Sequence, residues 1–128
     1  MKTTIFISSF AAILSTATAL GINCRGSGLC PSDGAAGNLI NLKAIVDNIS
    51  DRNRHYNTGQ QIACTGSLCA FYQNGASGSA GQTSEFLQQL LDHGCKKCGS
   101  VPTQPGNDVS KGELTVNVVG NPSCQGAC

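Results

Sequence analysis

The chain has no tryptophan and only two tyrosines and four phenylalanines, so there is little large aromatic area to fill a core. Charge is scarce too, with eight basic and seven acidic side chains among 128 residues. So balanced a chain has no long-range attraction for nucleic acid or for an anionic membrane, and no nucleic-acid partner is expected. Beyond the first nineteen residues no apolar run is long enough to cross a bilayer. Catalytic signatures of fixed spacing are missing: there is no Gly-x-Ser-x-Gly elbow, no His-Glu-x-x-His pair and no phosphate-binding loop. The side chains left for acid–base chemistry are Arg52, His55, Glu85 and His93. On a helix Glu85 and His93 would stand about 80° apart, and each has an ordinary surface role, so no enzyme is expected.

What the chain does have is sixteen glycines and eight cysteines. Residues 1–19 read as a signal peptide: Lys2 is the positive n-region, Ile5 to Leu14 the apolar core, and Ala17-Thr18-Ala19 a small-residue cleavage site. The apolar run is broken by Ser8, Ser9, Ser15 and Thr16, which argues against an uncleaved anchor. Secretion is therefore expected, with residues 20–128 as one domain. Loss of Lys2 leaves seven basic side chains (Arg25, Lys43, Arg52, Arg54, Lys96, Lys97, Lys111) against seven acidic ones (Asp33, Asp47, Asp51, Glu85, Asp92, Asp108, Glu113). An even cysteine count in a secreted, glycine-rich chain fits a disulfide framework.

The stretch His93-Gly94-Cys95-Lys96-Lys97-Cys98-Gly99 is the natural anchor of that framework. A redox Cys-x-x-Cys places its reactive sulfur at a helix N-terminus, whereas this pair follows a helix C-terminus. A structural zinc site built from Cys24, Cys30, Cys95 and Cys98 is the other alternative, and an oxidising compartment argues against it. Cys24 and Cys30 are expected to meet Cys95 and Cys98. Cys124 and Cys128 are expected to bond back to Cys64 and Cys69, with Cys64 to Cys124 the preferred pairing.

Leu20 to Cys24 reads as a first strand, followed by a Gly-Ser loop that continues through residues 31–37. Leu39, Leu42, Val46 and Ile49, joined by Ile45, recur at three- and four-residue steps and predict a helix from about Asn38 to Ser50. Asn48-Ile49-Ser50 within it is a formal N-glycosylation acceptor, less accessible in a helix than in a loop. The polar, mixed-charge run Asp51 to Gln60 reads as a solvated connection. Gln61 to Cys64 and Leu68 to Tyr72 flank Thr65-Gly66-Ser67 and predict a tight hairpin, with Cys69, Phe71 and Gln73 sharing a face.

Ser79 and Gln82 form a capping box. The helix it opens buries Phe86, Leu87, Leu90 and Leu91, and Gly94 ends it. A short strand follows, and Glu113 to Val119 then alternates Leu114, Val116 and Val118 against Thr115 and Asn117, the period of a half-buried strand. The order predicts an α+β fold: a two-layer α/β sandwich with a mostly antiparallel sheet, two helices on one face, and disulfide staples.

Several blocks of the chain resemble a known family, that of killer protein four (KP-four), the small killer toxin of virus-infected smut fungi, with relatives encoded in other fungal genomes. Leu20-Gly21-Ile22-Asn23-Cys24-Arg25-Gly26-Ser27 is similar to the mature start of that toxin. Gly37-Asn38-Leu39 is similar to its first helix, His93-Gly94-Cys95 and Cys98-Gly99-Ser100 to its second-helix exit, and Gly106 to Asn117 to its last turn and strand. The blocks fall in the same order with the same cysteine spacing at both ends. The resemblance implies the pairings Cys24 to Cys95 and Cys30 to Cys98, and with them a cationic cluster of Arg25, Lys96 and Lys97 as candidate target contact. It implies secretion and growth inhibition of competing fungi through a membrane protein, a calcium channel; a monomer without a cofactor is expected. The chain departs from the toxin in having fewer cysteines, in the neutral Gln60-Gln61-Ile62-Ala63 before Cys64, and in an extended tail from Pro122 to Cys128. Two readings from other classes stand beside it: a secreted effector of the same fold that acts on a host target without channel block, and a small secreted hydrolase.

Overall fold

The computed structural model of the chain describes residues 20–30 and 37–128. The signal peptide expected over 1–19 and most of the loop expected over 31–37 lie outside the described residues.

Helix α1, Leu39–Asp47, begins where Asn38 accepts from the Asn41 amide at 3.0 Å, and it buries Leu39, Leu42 and Val46. It is shorter than the predicted helix. Asn48 closes its last turn by donating from Nδ2 to the Ala44 carbonyl at 2.8 Å. The Arg52 guanidinium then donates to the carbonyls of Val46 (2.7 Å), Asp47 (3.2 Å) and Ile49 (3.3 Å), groups that a longer helix would have used itself.

Helix α2, Ala80–Asp92, opens on the predicted capping box, with the Gln82 amide donating to Ser79 Oγ (3.1 Å) and the Ser79 amide to Gln82 Oε1 (2.9 Å). Leu87 and Leu90 are fully buried, and Phe86 and Leu91 pack against them half-buried. Gly94, at φ +100°, reverses the chain, so that the amides of Gly94 and Cys95 bond the carbonyls of Leu91 and Leu90.

Five strands form one antiparallel sheet: β2 (Gln61–Thr65), β3 (Leu68–Gln73), β5 (Gly99–Pro102), β6 (Glu113–Val118) and β7 (Gly126–Ala127), in the order β5-β6-β3-β2-β7. A separate two-stranded ribbon pairs β1 (His55–Tyr56) with β4 (Gly78–Ser79). The passage from β3 through α2 to β5 leaves a gap of one strand, which β6 fills. On β3 the pleat sends Leu68, Ala70 and Tyr72 into the core shared with the helices, and Cys69, Phe71 and Gln73 share the opposite face, as the alternation predicts. Tyr72 ties the layers together: its hydroxyl lies 2.8 Å from Thr83 Oγ1 on α2, and its ring meets Phe86 edge-on at 6.4 Å.

Three expectations need correction. Leu20 to Cys24 forms no strand, only a bridge of Asn23 to Ser100 on the edge of β5. Of its other backbone groups, the Leu20 carbonyl accepts from the Val109 amide (2.8 Å), the Ile22 amide donates to Asn107 Oδ1 (3.0 Å) and the Gly21 carbonyl accepts from Asn23 Nδ2 (2.8 Å). The second face of β6 is closed off from solvent, with Glu113 and Thr115 both buried. There Thr115 Oγ1 and Asn74 Nδ2 each donate to the Glu113 carboxylate at 2.6 Å, so the polar side of the strand is satisfied internally.

The third correction concerns the tail. Cys64 pairs with Cys69, and Cys124 with Cys128, in place of the expected bonds from tail to hairpin. The hairpin register sets Cys64 directly opposite Cys69 with Cα atoms 4.1 Å apart, and the turn before Cys128 brings its Cα to 5.5 Å from Cys124. Each thiol therefore meets its partner within its own turn. The tail is held to the sheet by hydrogen bonds: Ser123 N to Gln61 Oε1 (2.6 Å), Gln125 Nε2 to the Gly66 carbonyl (2.8 Å), and Gly66 N to Gln125 Oε1 (2.8 Å).

Candidate functional site

The Cys95–Cys98 turn is built from three directions. Helix α2 delivers Cys95 at its end, β5 leaves from Gly99, and the Leu39 amide at the start of α1 donates to the Lys96 carbonyl at 2.9 Å. Two bridges then bind the 24–30 loop onto it: Cys24 to Cys95 with Cα atoms 5.1 Å apart, and Cys30 to Cys98 with 6.3 Å. These are the pairings that the family resemblance implied. The loop lies close against the turn. A side chain at Gly26 would begin 2.6 Å from Cys98 Cβ and 2.9 Å from Asn117 Oδ1, and the Ser27 amide donates to that same oxygen at 3.0 Å.

This geometry brings the three expected contact residues together in the backbone. Arg25 follows Cys24 and Lys96 follows Cys95. Adding at most about 3.8 Å per neighbour to the bridge distance keeps the two Cα atoms within about 13 Å. Arg25 and Lys96 are exposed, while Lys97, between the bridged cysteines, is half-buried. Among the described residues the one ion pair is Lys43 to Asp47 at 2.7 Å, elsewhere on α1. The charges of the turn are thus not neutralised by a described carboxylate. Beside Lys96 an open cleft is lined by Asn38, Ile40, Leu91 and Cys95, so the cationic edge borders apolar surface.

All eight cysteines are in bridges, and none is free. The sulfurs of Cys64, Cys124 and Cys128 lie within 4.8 Å of one another, but a metal needs thiolates and these sulfurs are already bonded. The residues considered for acid–base chemistry are dispersed in use. His55 is on β1, Glu85 is exposed on α2, and His93 is the C-cap of α2. Arg52, expected in a solvated connection, is half-buried, and beyond its bonds to α1 it donates to Ser84 Oγ on α2 at 2.6 Å. It fastens one helix to the other. An arginine just past a helix end is the signal that could have revealed this.

Asp47 beside that clasp is held below the ordinary carboxylate range: partial burial pushes it up, but hydrogen bonds from Lys43 and Ser84 and the charges of Lys43 and Arg52 outweigh it. Arg54 stands over the Tyr56 ring at 5.0 Å and reaches the Cys128 carbonyl at 3.1 Å. The basic residues of this segment therefore serve the fold, whereas those of the 95–98 turn carry no described fold contact through their side chains.

Comparison with known proteins agrees with this arrangement. The profile of the family described as Kp4 matches residues 7–120. The KP4 killer toxin of the Ustilago maydis P4 virus is 38% identical over 114 residues, covering 85% of this chain and 87% of that protein. With most of both chains aligned at that identity, and with the family profile spanning nearly the whole described domain, this chain belongs to the Kp4 family.

Proposed function

We propose that this protein is a secreted, monomeric killer-toxin-like protein that slows the growth of competing fungi by blocking calcium entry through a membrane channel. It does so by binding and needs neither catalysis nor a cofactor. The observation that carries the reading is the 38% identity to a killer toxin over 85% of the chain. The contact surface is the 95–98 turn with Arg25, Lys96 and Lys97. Two bridges fix its backbone, so little ordering entropy is lost on binding. A channel mouth for divalent cations concentrates carboxylates, and a cationic edge on an otherwise balanced protein is the part that would meet it.

A growth assay on sensitive fungi tests this, with calcium added in one arm and Lys96→Glu, Lys97→Glu in another. Added calcium should relieve the inhibition, and the double reversal should raise the half-inhibitory concentration about tenfold or more. Lys111→Glu is the charge control, because Lys43 is already paired with Asp47. Full activity in the folded double variant would remove the turn as contact surface. Inhibition that calcium does not relieve would remove the channel mechanism, and no inhibition of sensitive fungi by the folded protein would favour the reading as an effector of the same fold.

A further inference from the structure

Three separate observations meet along one side of α1. Ile40 is 63% exposed, a large apolar side chain left open on the outer face of α1, away from the buried Leu39, Leu42 and Val46. It lines the cleft between the helices, with Ala44 and Leu91 beside it and Lys43, Asp47 and Gln88 around them. Four residues beyond Ala44 stands Asn48, the acceptor asparagine of Asn48-Ile49-Ser50, so Ile40, Ala44 and Asn48 follow one another at the spacing of a single helix face.

The expected obstacle to glycosylation is absent, since α1 stops at Asp47 and Asn48 is an exposed C-cap rather than a helical interior residue. Ser50 is exposed as well. The Asn48 side chain turns back toward the start of α1, where Nδ2 donates to the Ala44 carbonyl at 2.8 Å. That bond uses one of two amide hydrogens, and an N-linked sugar replaces the other.

We propose that Asn48 carries an N-linked glycan whose inner sugars lie along the Ile40–Ala44–Leu91 cleft and cover it. In the linking step Nδ2 attacks the anomeric carbon of a lipid-diphosphate-linked oligosaccharide. The C1–O bond breaks, the lipid diphosphate leaves with the electron pair, one amide proton is lost, and a C1–N bond forms. The remaining N–H keeps the cap on Ala44. Because the side chain points toward the helix start, the glycan is directed along the stripe, and Ile40 lies about 12 Å away, comparable to two pyranose rings end to end. The apolar faces of those rings match the exposed Ile40 and the half-buried Leu91 beside it. The inference requires passage through a secretory pathway and is otherwise independent of the toxin reading.

The test is expression of residues 20–128 behind the host's own leader in a eukaryotic secretory host, so that failure of the native leader does not enter. Intact mass should show an N-glycan that peptide N-glycosidase removes, leaving aspartate at 48. Asn48→Gln and Ser50→Ala should secrete without it, and Ser50→Thr should keep it. Methyl NMR should then show the Ile40 and Leu91 signals differing between the glycosylated parent and the glycan-free Ser50→Ala protein, which keeps Asn48 and its bond to the Ala44 carbonyl, with core methyls such as Val116 unmoved. Disulfide-complete protein secreted at the bare mass, in the parent and in Ser50→Thr, would overturn the site. A glycan whose absence in Ser50→Ala leaves Ile40 and Leu91 unchanged would overturn the covering of the cleft.

Discussion

Removing the bridges one by one should separate those that define the domain from those that trim it. Cys24–Cys95 and Cys30–Cys98 join residues 71 and 68 apart, and Cys64–Cys69 and Cys124–Cys128 join residues 5 and 4 apart. By chain entropy a loop of the first kind is worth about 4.4 kcal/mol and one of the second kind about 2 kcal/mol. The two long bridges run side by side, however, so either one alone already closes the large loop. The second then closes only a small ring through the 24–30 loop and the 95–98 turn, worth about 2.6 kcal/mol.

Replacing both cysteines of a single long bridge by alanine should therefore cost about 2.6 kcal/mol, whichever bridge is chosen. Replacing all four should cost about 7 kcal/mol, more than the two single losses together. The hairpin ladder already holds Cys64 opposite Cys69, so Cys64→Ala, Cys69→Ala should cost about 2 kcal/mol or less. With no tryptophan in the chain, urea unfolding followed by far-UV circular dichroism is the suitable assay. Strict additivity of the two long bridges, or a greater loss at the hairpin than at either of them, would refute the reasoning.

Ser79→Ala should cost about 1 kcal/mol in the same assay by uncapping α2, because the Gln82 backbone amide loses its acceptor, Ser79 Oγ, while the Gln82 side chain keeps its bond from the amide of residue 79. Glu113→Ala removes the acceptor shared by Asn74 and Thr115, leaving them the longer bonds to the Val109 carbonyl (3.1 Å) and Gln73 Oε1 (3.2 Å), and should destabilise by about 1 to 3 kcal/mol in the same assay. The Ser110 side chain and backbone amide both donate to Asp108, which holds that carboxyl below its ordinary 3.8. A folded-state value lowered in this way gives stability that is present above the unfolded-state value and is lost as pH falls through the folded one. A pH titration of unfolding should show this loss below about pH 4, and Asp108→Asn should remove it.

The sequence by itself determined the elements whose signals are local. Ser79 and Gln82 marked the start of α2 because a cap is a contact between neighbours three residues apart, and Gly94 marked its end because few other residues accept a positive φ. The alternation of Leu114, Val116 and Val118 placed β6, since a pleat imposes its period on any strand with a buried face. The class of the fold, the even framework of bridges and the meeting of the 24–30 loop with the 95–98 turn were legible from the same residues, and which cysteine joins which through family resemblance.

Tertiary structure decided what depends on register and on distant partners. Whether Cys64 bonds Cys69 or Cys124 turns on which residues of the hairpin stand opposite each other, and no spacing along the chain contains that. The burial of Glu113 and Thr115 depends on Asn74 from another turn, and the early end of α1 on Arg52 reaching back to its carbonyls and across to Ser84. Arg25, Lys96 and Lys97 are ordinary surface cations in sequence. They share one edge because two covalent bonds, each spanning about seventy residues, hold that edge together.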